Sequence, residues 1–245
     1  NRTRSVLVTA EIALSLVLLV GASLFVRSFL NLQDADLGYE TRPLMTMRFF
    51  MEGQAYEAED GRIRRTVDLL ERIDTLPGVE AAFASNFVPL SGGGGWGRMV
   101  SDAFAPEPGR ELEAAYLGVT AGFLRTLGVR LRAGRDFRAD EGRRRSGVAI
   151  VSRTFAERFF PGSATVIGRS LRMLDDETGE WLIVVGLIDD IRVWDVREDE
   201  PTPAIIVPYP YLPSSSTGLT VRVAGALPSA IPASAASHAV RSNKG

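Results

Sequence analysis

The chain has no cysteine. That excludes a disulfide framework, a thiolate metal site and a cysteine nucleophile, so the fold must rest on a packed core. Histidine is nearly absent too, with His238 as the single example. It lies in an Ala-, Ser- and Pro-rich end, Leu227 to Gly245, so neither a Ser-His-Asp arrangement nor a histidine-based metal centre is expected there. The carboxylate pairs Asp175–Asp176 and Asp189–Asp190 lack the Asp-x-Asp-x-Asp-Gly frame of a calcium loop. Asp189 and Asp190 read instead as a turn that ends a strand. The glycine run Ser91-Gly92-Gly93-Gly94-Gly95-Trp96-Gly97 lacks the Lys and Ser/Thr that a phosphate-cradling loop requires, and it reads as a flexible hairpin or hinge. Nor is there an excess of positive charge, the formal net charge being -2. Catalytic residues, metal ligands, cofactors and nucleic-acid partners are therefore all unexpected.

One apolar run dominates what is present. Val6 to Val26 reads VLVTAEIALSLVLLVGASLFV. As a helix rising about 1.5 Å per residue it is long enough to cross the roughly 30 Å hydrocarbon core of a bilayer. It is longer than the core of a cleaved signal peptide, and it lacks an Ala-x-Ala cleavage site. Arg2 and Arg4 precede it, whereas beyond Arg27 the first charges are Asp34, Asp36 and Glu40. The N-terminal side is thus expected to be cytoplasmic and the rest of the chain to lie outside. Within the span, Glu11, Ser15, Leu18 and Ala22 share one helical face. A carboxylate in lipid is costly, and small or hydroxyl side chains admit a neighbouring helix. This face is therefore expected to pack against further transmembrane helices, with snorkelling of Glu11 to the interface as the alternative.

Removing the first 27 residues takes 3 of the 28 basic and 1 of the 30 acidic residues, leaving a mildly acidic body of 25 against 29. In it, Ser28 to Arg42 reads as a connector punctuated by Gly38, and Leu44 to Met51 as a strand. Arg62 to Leu76 has helical spacing and ends at Pro77-Gly78; Val79 to Val88 then reads as a second strand. Further strands are expected at Leu112 to Val119, Val129 to Arg132, Val148 to Val151, Ile167 to Met173, Trp181 to Ile188, Ala204 to Pro208 and Leu219 to Val223. Short helices are expected at Thr120 to Leu127, capped by Thr120 and stopped by Gly128, and at Arg153 to Phe160, capped by Ser152. The run Arg143, Arg144, Arg145 reads as a solvated charged face or a lipid-headgroup contact. Leu227 to Arg241 reads as a poorly marked final helix. The class expected is α+β, one transmembrane helix followed by a mixed α/β body.

The segments RSVLVTAEIALSLVLLVGASLFVRSFLNLQ, LLERIDTLPGVEAAFASNFVPLSG, VTAGFLRTLGVRLRAGRDF, VAIVSRTFAERFFPGSATVIGRSLRM and VVGLIDDIRVWDV, followed by IIVPY, occur in this order. Together they resemble the MacB-like periplasmic core domain of ABC transporter permeases, in the flavour of the acidobacterial duplicated permease group. The resemblance implies a two-lobed body, with residues 31–88 and 183–245 forming the membrane-proximal lobe and 89–182 an inserted distal lobe. It implies a non-catalytic permease in the bacterial inner membrane with its domain in the periplasm. The partners implied are a separate cytoplasmic ABC ATPase, a second permease copy, further transmembrane helices, the lipid bilayer and a periplasmic adaptor. The start at Asn1 rather than Met fits a piece of such a longer chain. Trp96, beside the glycine run, is the residue expected to touch a partner or substrate. A membrane-anchored sensor or protein-interaction domain is the alternative function.

Overall fold

A computed structural model of the chain describes residues 2–33, 37–41, 43–51, 59–103, 112–174, 179–192 and 201–225. The expected helix at Leu227–Arg241, together with His238, Asp175 and Asp176, lies outside these described residues. The chain divides into two units, Asn1–Leu37 and Gly38–Gly245.

The first unit is one helix, α1 (Arg2–Gln33). It continues past Val26 through what was expected to be connector, because no glycine or proline interrupts Arg27 to Gln33. Its apolar part, Val6–Leu30, has a mean hydropathy of 2.2 in its richest window, and none of that window is buried. Those 25 residues span about 37 Å, sufficient for the hydrocarbon core with some tilt.

The second unit is built on strands, some of which, such as Val148–Ser152 and Ala204–Pro208, are buried on both faces. It begins with β1 (Leu44–Phe50), α2 (Glu59–Asp74), β2 (Val79–Ser85), β3 (Phe87–Val88), β4 (Gly92–Gly93), β5 (Gly95–Ser101) and β6 (Leu112–Val119). It continues with α3 (Phe123–Leu127), β7 (Leu131–Gly134), β8 (Val148–Ser152), α4 (Arg153–Phe159), β9 (Ser170–Met173), β10 (Leu182–Ile188), β11 (Ala204–Pro208) and β12 (Ser216–Val223). Ten strands form one sheet in the order β1-β12-β2-β6-β11-β8-β10-β9-β5, with β7 beside β10. The last strand also pairs with β6, so six of them, β6-β11-β8-β10-β9-β5, close into a ring. β3 and β4 form a separate two-stranded sheet.

The ring has its own core. One parity of each ring strand points inward: Met99 on β5, Ala114 on β6, Ala149 and Val151 on β8, Leu171 and Met173 on β9, Leu182 and Val184 on β10, Ile205 and Val207 on β11. Phe155 and Phe159 of α4 join them as a parallel stack, ring centroids 4.1 Å apart. The opposite parity of β6, β8 and β11 packs with α3 into a second core around Phe83, Phe87 and Phe123, where Phe83 and Phe123 meet edge to face at 5.2 Å. Helix α2 covers the far end of the sheet, Leu70 and Ile73 meeting Ala82, Ala84, Leu219 and Phe49.

Several local expectations are corrected. Of the two readings of the glycine run, hairpin or hinge, the structure has the hairpin. Gly92–Gly93 pairs with Phe87–Val88, and a side chain at Gly93 would meet the Asn86 carbonyl oxygen and the Phe87 Cα, each at 2.7 Å. The absence of a side chain is thus what lets the two backbones approach. Trp96 consequently lies within β5 opposite Ala115, not in a loop. Thr120 does not cap α3, whose N-cap is Gly122; its hydroxyl accepts from the Ala84 N–H at 2.9 Å instead, joining α3's approach to β2. Ser152 does cap α4, accepting from the Phe155 N–H.

Truncating Phe159, which is fully buried, to Ala should cost about 3–5 kcal/mol, read as a fall in the denaturant midpoint. A second expectation concerns acid. Arg135 donates twice to Glu141 at 2.7 Å, and the Arg138 N–H donates a third bond. The guanidinium, ahead of that backbone bond, holds the Glu141 carboxyl below its usual range against the opposing effect of burial. Its contribution is fully present above the unfolded carboxyl pKa and is lost as pH falls through the lower folded value. Glu141→Gln should therefore cost about 2 kcal/mol at neutral pH, and the deficit relative to wild type should vanish in acid-unfolding curves.

Candidate functional site

The side chains singled out in α1 share a face of an isolated helix. Glu11, Ser15, Leu18 and Ala22 are all exposed, as is the whole span around them. Ser23 folds back onto its own helix, its hydroxyl donating to the Val20 carbonyl at 2.7 Å. That bond leaves the Glu11–Ala22 stripe untouched.

Trp96 stands on the outside of the ring. Residues 96, 98 and 100 alternate outward along β5 while Met99 points in. Across the neighbouring strand, Val100 lies opposite Arg172, whose guanidinium sits 5.3 Å above the Trp181 ring. Ile183 follows on β10. Trp96, Trp181 and Ile183 are each about half exposed, at 52%, 45% and 49%, so this side of the ring carries aromatic and aliphatic surface together with arginine.

The acidic pair at the end of β10 does more than close a turn. Asp189 pairs with Arg132. The Asp190 carboxylate accepts from Arg153 at 2.9 and 3.1 Å and from the Thr154 N–H at 2.7 Å, which places negative charge at the N-terminus of α4, where the helix dipole favours it. The three consecutive arginines are also engaged. Arg143 meets Glu71 at 2.6 Å and Arg144 meets Asp140 at 2.8 Å, and both pairs are largely exposed. Arg145 lies 5.2 Å over the Tyr211 ring.

Beside Asp190 lies a feature that the sequence reading passed over as connector, residues Gly38 to Glu40. Gly38 has φ +76°, and a Cβ there would collide with the Asp190 carbonyl oxygen; only glycine combines that backbone with that approach. Tyr39 packs into the core on the α3 side. Its hydroxyl is buried without a hydrogen-bond partner among the described residues, and burial pushes its pKa up to about 12. The Glu40 N–H donates to the Leu127 carbonyl at 2.8 Å, and its carboxylate lies 3.2 Å from Arg222. Arg222, largely buried within β12, also donates to the Thr126 carbonyl at 2.7 Å and to the Glu40 carbonyl at 3.3 Å. The available signal was an arginine inside the apolar run Leu219 to Val223, since a buried guanidinium must find acceptors.

The chain carries an apolar helix and then a body in which a closed strand ring continues into a helix-covered sheet, and the model of the MacB-like periplasmic core domain matches residues 5–242. The chain belongs to that family. Its expected α+β class and N-terminal apolar helix are what the structure contains. This MacB-like domain is similar in fold to the periplasmic region of MacB from Actinobacillus actinomycetemcomitans. The two are 13% identical over 86% of this chain and 88% of that one, with a TM-score of 0.55. The extracellular domain of the noncanonic ABC-type transporter YknZ from Gram-positive bacteria is 15% identical over 74% of this chain and 85% of that one, with a TM-score of 0.46. No curated protein matches the sequence.

Because the Tyr39 hydroxyl is buried and unpaired among the described residues, Tyr39→Phe should leave stability unchanged or raise it by about 1 kcal/mol. Thermal unfolding of the two proteins checks this, and a clear drop in the variant would reveal a partner for the hydroxyl.

Proposed function

We propose that this MacB-like domain is the N-terminal part of a permease subunit of a MacB-type ABC transporter. In this reading it couples ATP hydrolysis by a separate cytoplasmic ATPase to export or to mechanical work outside the membrane, with no catalytic residue of its own. The observation that carries the reading is the extent of the family match, which begins at residue 5 inside the apolar helix and continues through the body to 242. Helix and body thus recur as one unit. Arg2 and Arg4 ahead of the span, with acidic residues after it, favour a cytoplasmic N-terminus and an extracytoplasmic body.

In the assembled permease the Glu11, Ser15, Leu18 and Ala22 face meets further transmembrane helices, in the same chain or in a second permease copy. The stretch 89–182 is assigned to the distal lobe, which supplies four of the six ring strands, β5, β6, β8 and β9. Trp96 on that lobe is the contact for a partner, such as a periplasmic adaptor, or for substrate. An exposed tryptophan beside arginines has the composition of an interface anchor.

The decisive experiment expresses the full reading frame and asks whether an ATPase co-purifies with it and whether a reporter fused to the body is active only outside the cytoplasm. A cytoplasmic body, or a frame with this single span and no associated ATPase, would replace the permease with an anchored sensor. Within the permease, Glu11→Leu should weaken association with the neighbouring spans by about 1 kcal/mol, seen as loss of co-purifying copies in detergent. Trp96→Ala should weaken partner binding by about 2 kcal/mol without changing the unfolding temperature.

A further inference from the structure

The first strand of the body is mechanically exposed by its place in the topology. β1 ends the strand order, and its ladder partner is β12 alone. It is also the strand that follows the apolar helix, so tension arriving from α1 enters the body ahead of Leu44. The ladder starts there, with Leu44 opposite Arg222, and the Val223 N–H donates to the Pro43 carbonyl beside it. A pull on the N-terminal end of an edge strand loads these pairs one after another. Unprotected, β1 would peel from β12 from its first residue onward.

Residues 38–40 lie upstream of that point and make contacts of their own beyond the ladder, to Asp190, the α3-side core and the Leu127 carbonyl. Gly38 bears on the Asp190 carbonyl, directly behind the carboxylate that holds the first turn of α4. Tyr39 fills a place in the α3-side core. Glu40 is fixed to α3 through the Leu127 carbonyl and to β12 through Arg222. Arg222 is the residue opposite Leu44, and its guanidinium reaches both Glu40 and the Thr126 carbonyl. The same side chain therefore ties the strap, α3 and the vulnerable end of the β1–β12 ladder together.

We infer that Gly38–Glu40 is a force-bearing clamp: it takes tension arriving from the apolar helix and spreads it to the end of β10 beside α4 and to α3 and β12, before it can unzip β1. The inference rests on the proposed coupling of ATP hydrolysis to work outside the membrane, and names where a pull transmitted through α1 enters the body. The strap is the load path, and Arg222 is its positioning residue.

The chain's lack of cysteine makes a direct test clean. In the full chain in detergent, paired cysteines at Gln33→Cys, the last residue of α1, and Glu157→Cys, an exposed site on α4, attach handles for single-molecule force measurement. Release of the strap should be about tenfold faster at a given force in Glu40→Gln, which removes a charge-assisted contact to Arg222. It should be faster again in Gly38→Val, where a side chain collides with the Asp190 carbonyl. Handles at Glu80→Cys and Glu157→Cys load the body without passing through the strap, and there the variants should match wild type. Equal release rates in the first geometry would overturn the clamp. So would equal acceleration in both geometries, which would mark the strap as ordinary packing. Should Gly38→Val fail to fold by far-UV circular dichroism, the mild Glu40→Gln, at a side chain 68% exposed, decides alone. No ATPase or substrate enters the measurement, so the clamp stands or falls separately from the permease reading.

Discussion

The pairing of β5 with β6 is the constraint on which the body depends. Without it β5 would be a second free edge, and the strands from β11 round to β5 would form an open sheet with one face on α4 and nothing behind it. With it, six strands enclose their own apolar interior, and α4 needs only to complete that interior with Phe155 and Phe159. Closure satisfies the backbone donors and acceptors that an edge would expose. The outer side of the ring is thereby freed to differ in character from the inside, which is why tryptophans, arginines and an isoleucine can occupy it while the core stays aliphatic and aromatic.

A small number of carboxylate–guanidinium contacts organise the turns that the ring strands leave behind. Asp190 holds the start of α4, Glu141 is gripped by Arg135 and the backbone of Arg138, and Glu40 meets Arg222. In each case one partner is substantially buried, so the charge is fixed by several donors or acceptors rather than by a single exposed pair. These contacts lie where one element ends and another must be placed, and they fix relative placement more than they add to the core.

Much of the fold was legible because its elements obey local rules. The strands at Leu112–Val119 and Ala204–Pro208 were visible from apolar and β-branched composition, α4 from its Ser152 cap, and the membrane helix from length. What local rules could not give was which strands are neighbours. The parallel pairing of β6 with β11 and the closure through β5 join segments far apart in sequence, and no spacing announces them. The glycine run was legible as a hairpin, but the reason for its glycines was hidden in a related way. Four glycines read as flexibility, but Gly93 is there because the Asn86–Phe87 backbone passes within contact distance, a fact that exists only in three dimensions. Thr120 misled because a hydroxyl before a helix has two uses, and tertiary contact with β2 took the one that a local reading ignores. For the site, Glu11 and Trp96 could be picked out singly. The strap could not, since its meaning lies in Asp190, Leu127 and Arg222, which meet it only after folding.

The wide separation of the strands that pair sets a timetable for assembly. β1 is made among the first residues of the body, yet its ladder partner, β12, is made almost last, and the ring cannot close until β11 has followed β5 by about a hundred residues. Loop closure over such distances precedes any reward from the contacts it brings. Leu44–Phe50 therefore stays without its ladder partner until β12 has been made. β1 thus opens the body in sequence yet is among its last strands to find a partner, which makes its pairing with β12 the seal on the finished fold.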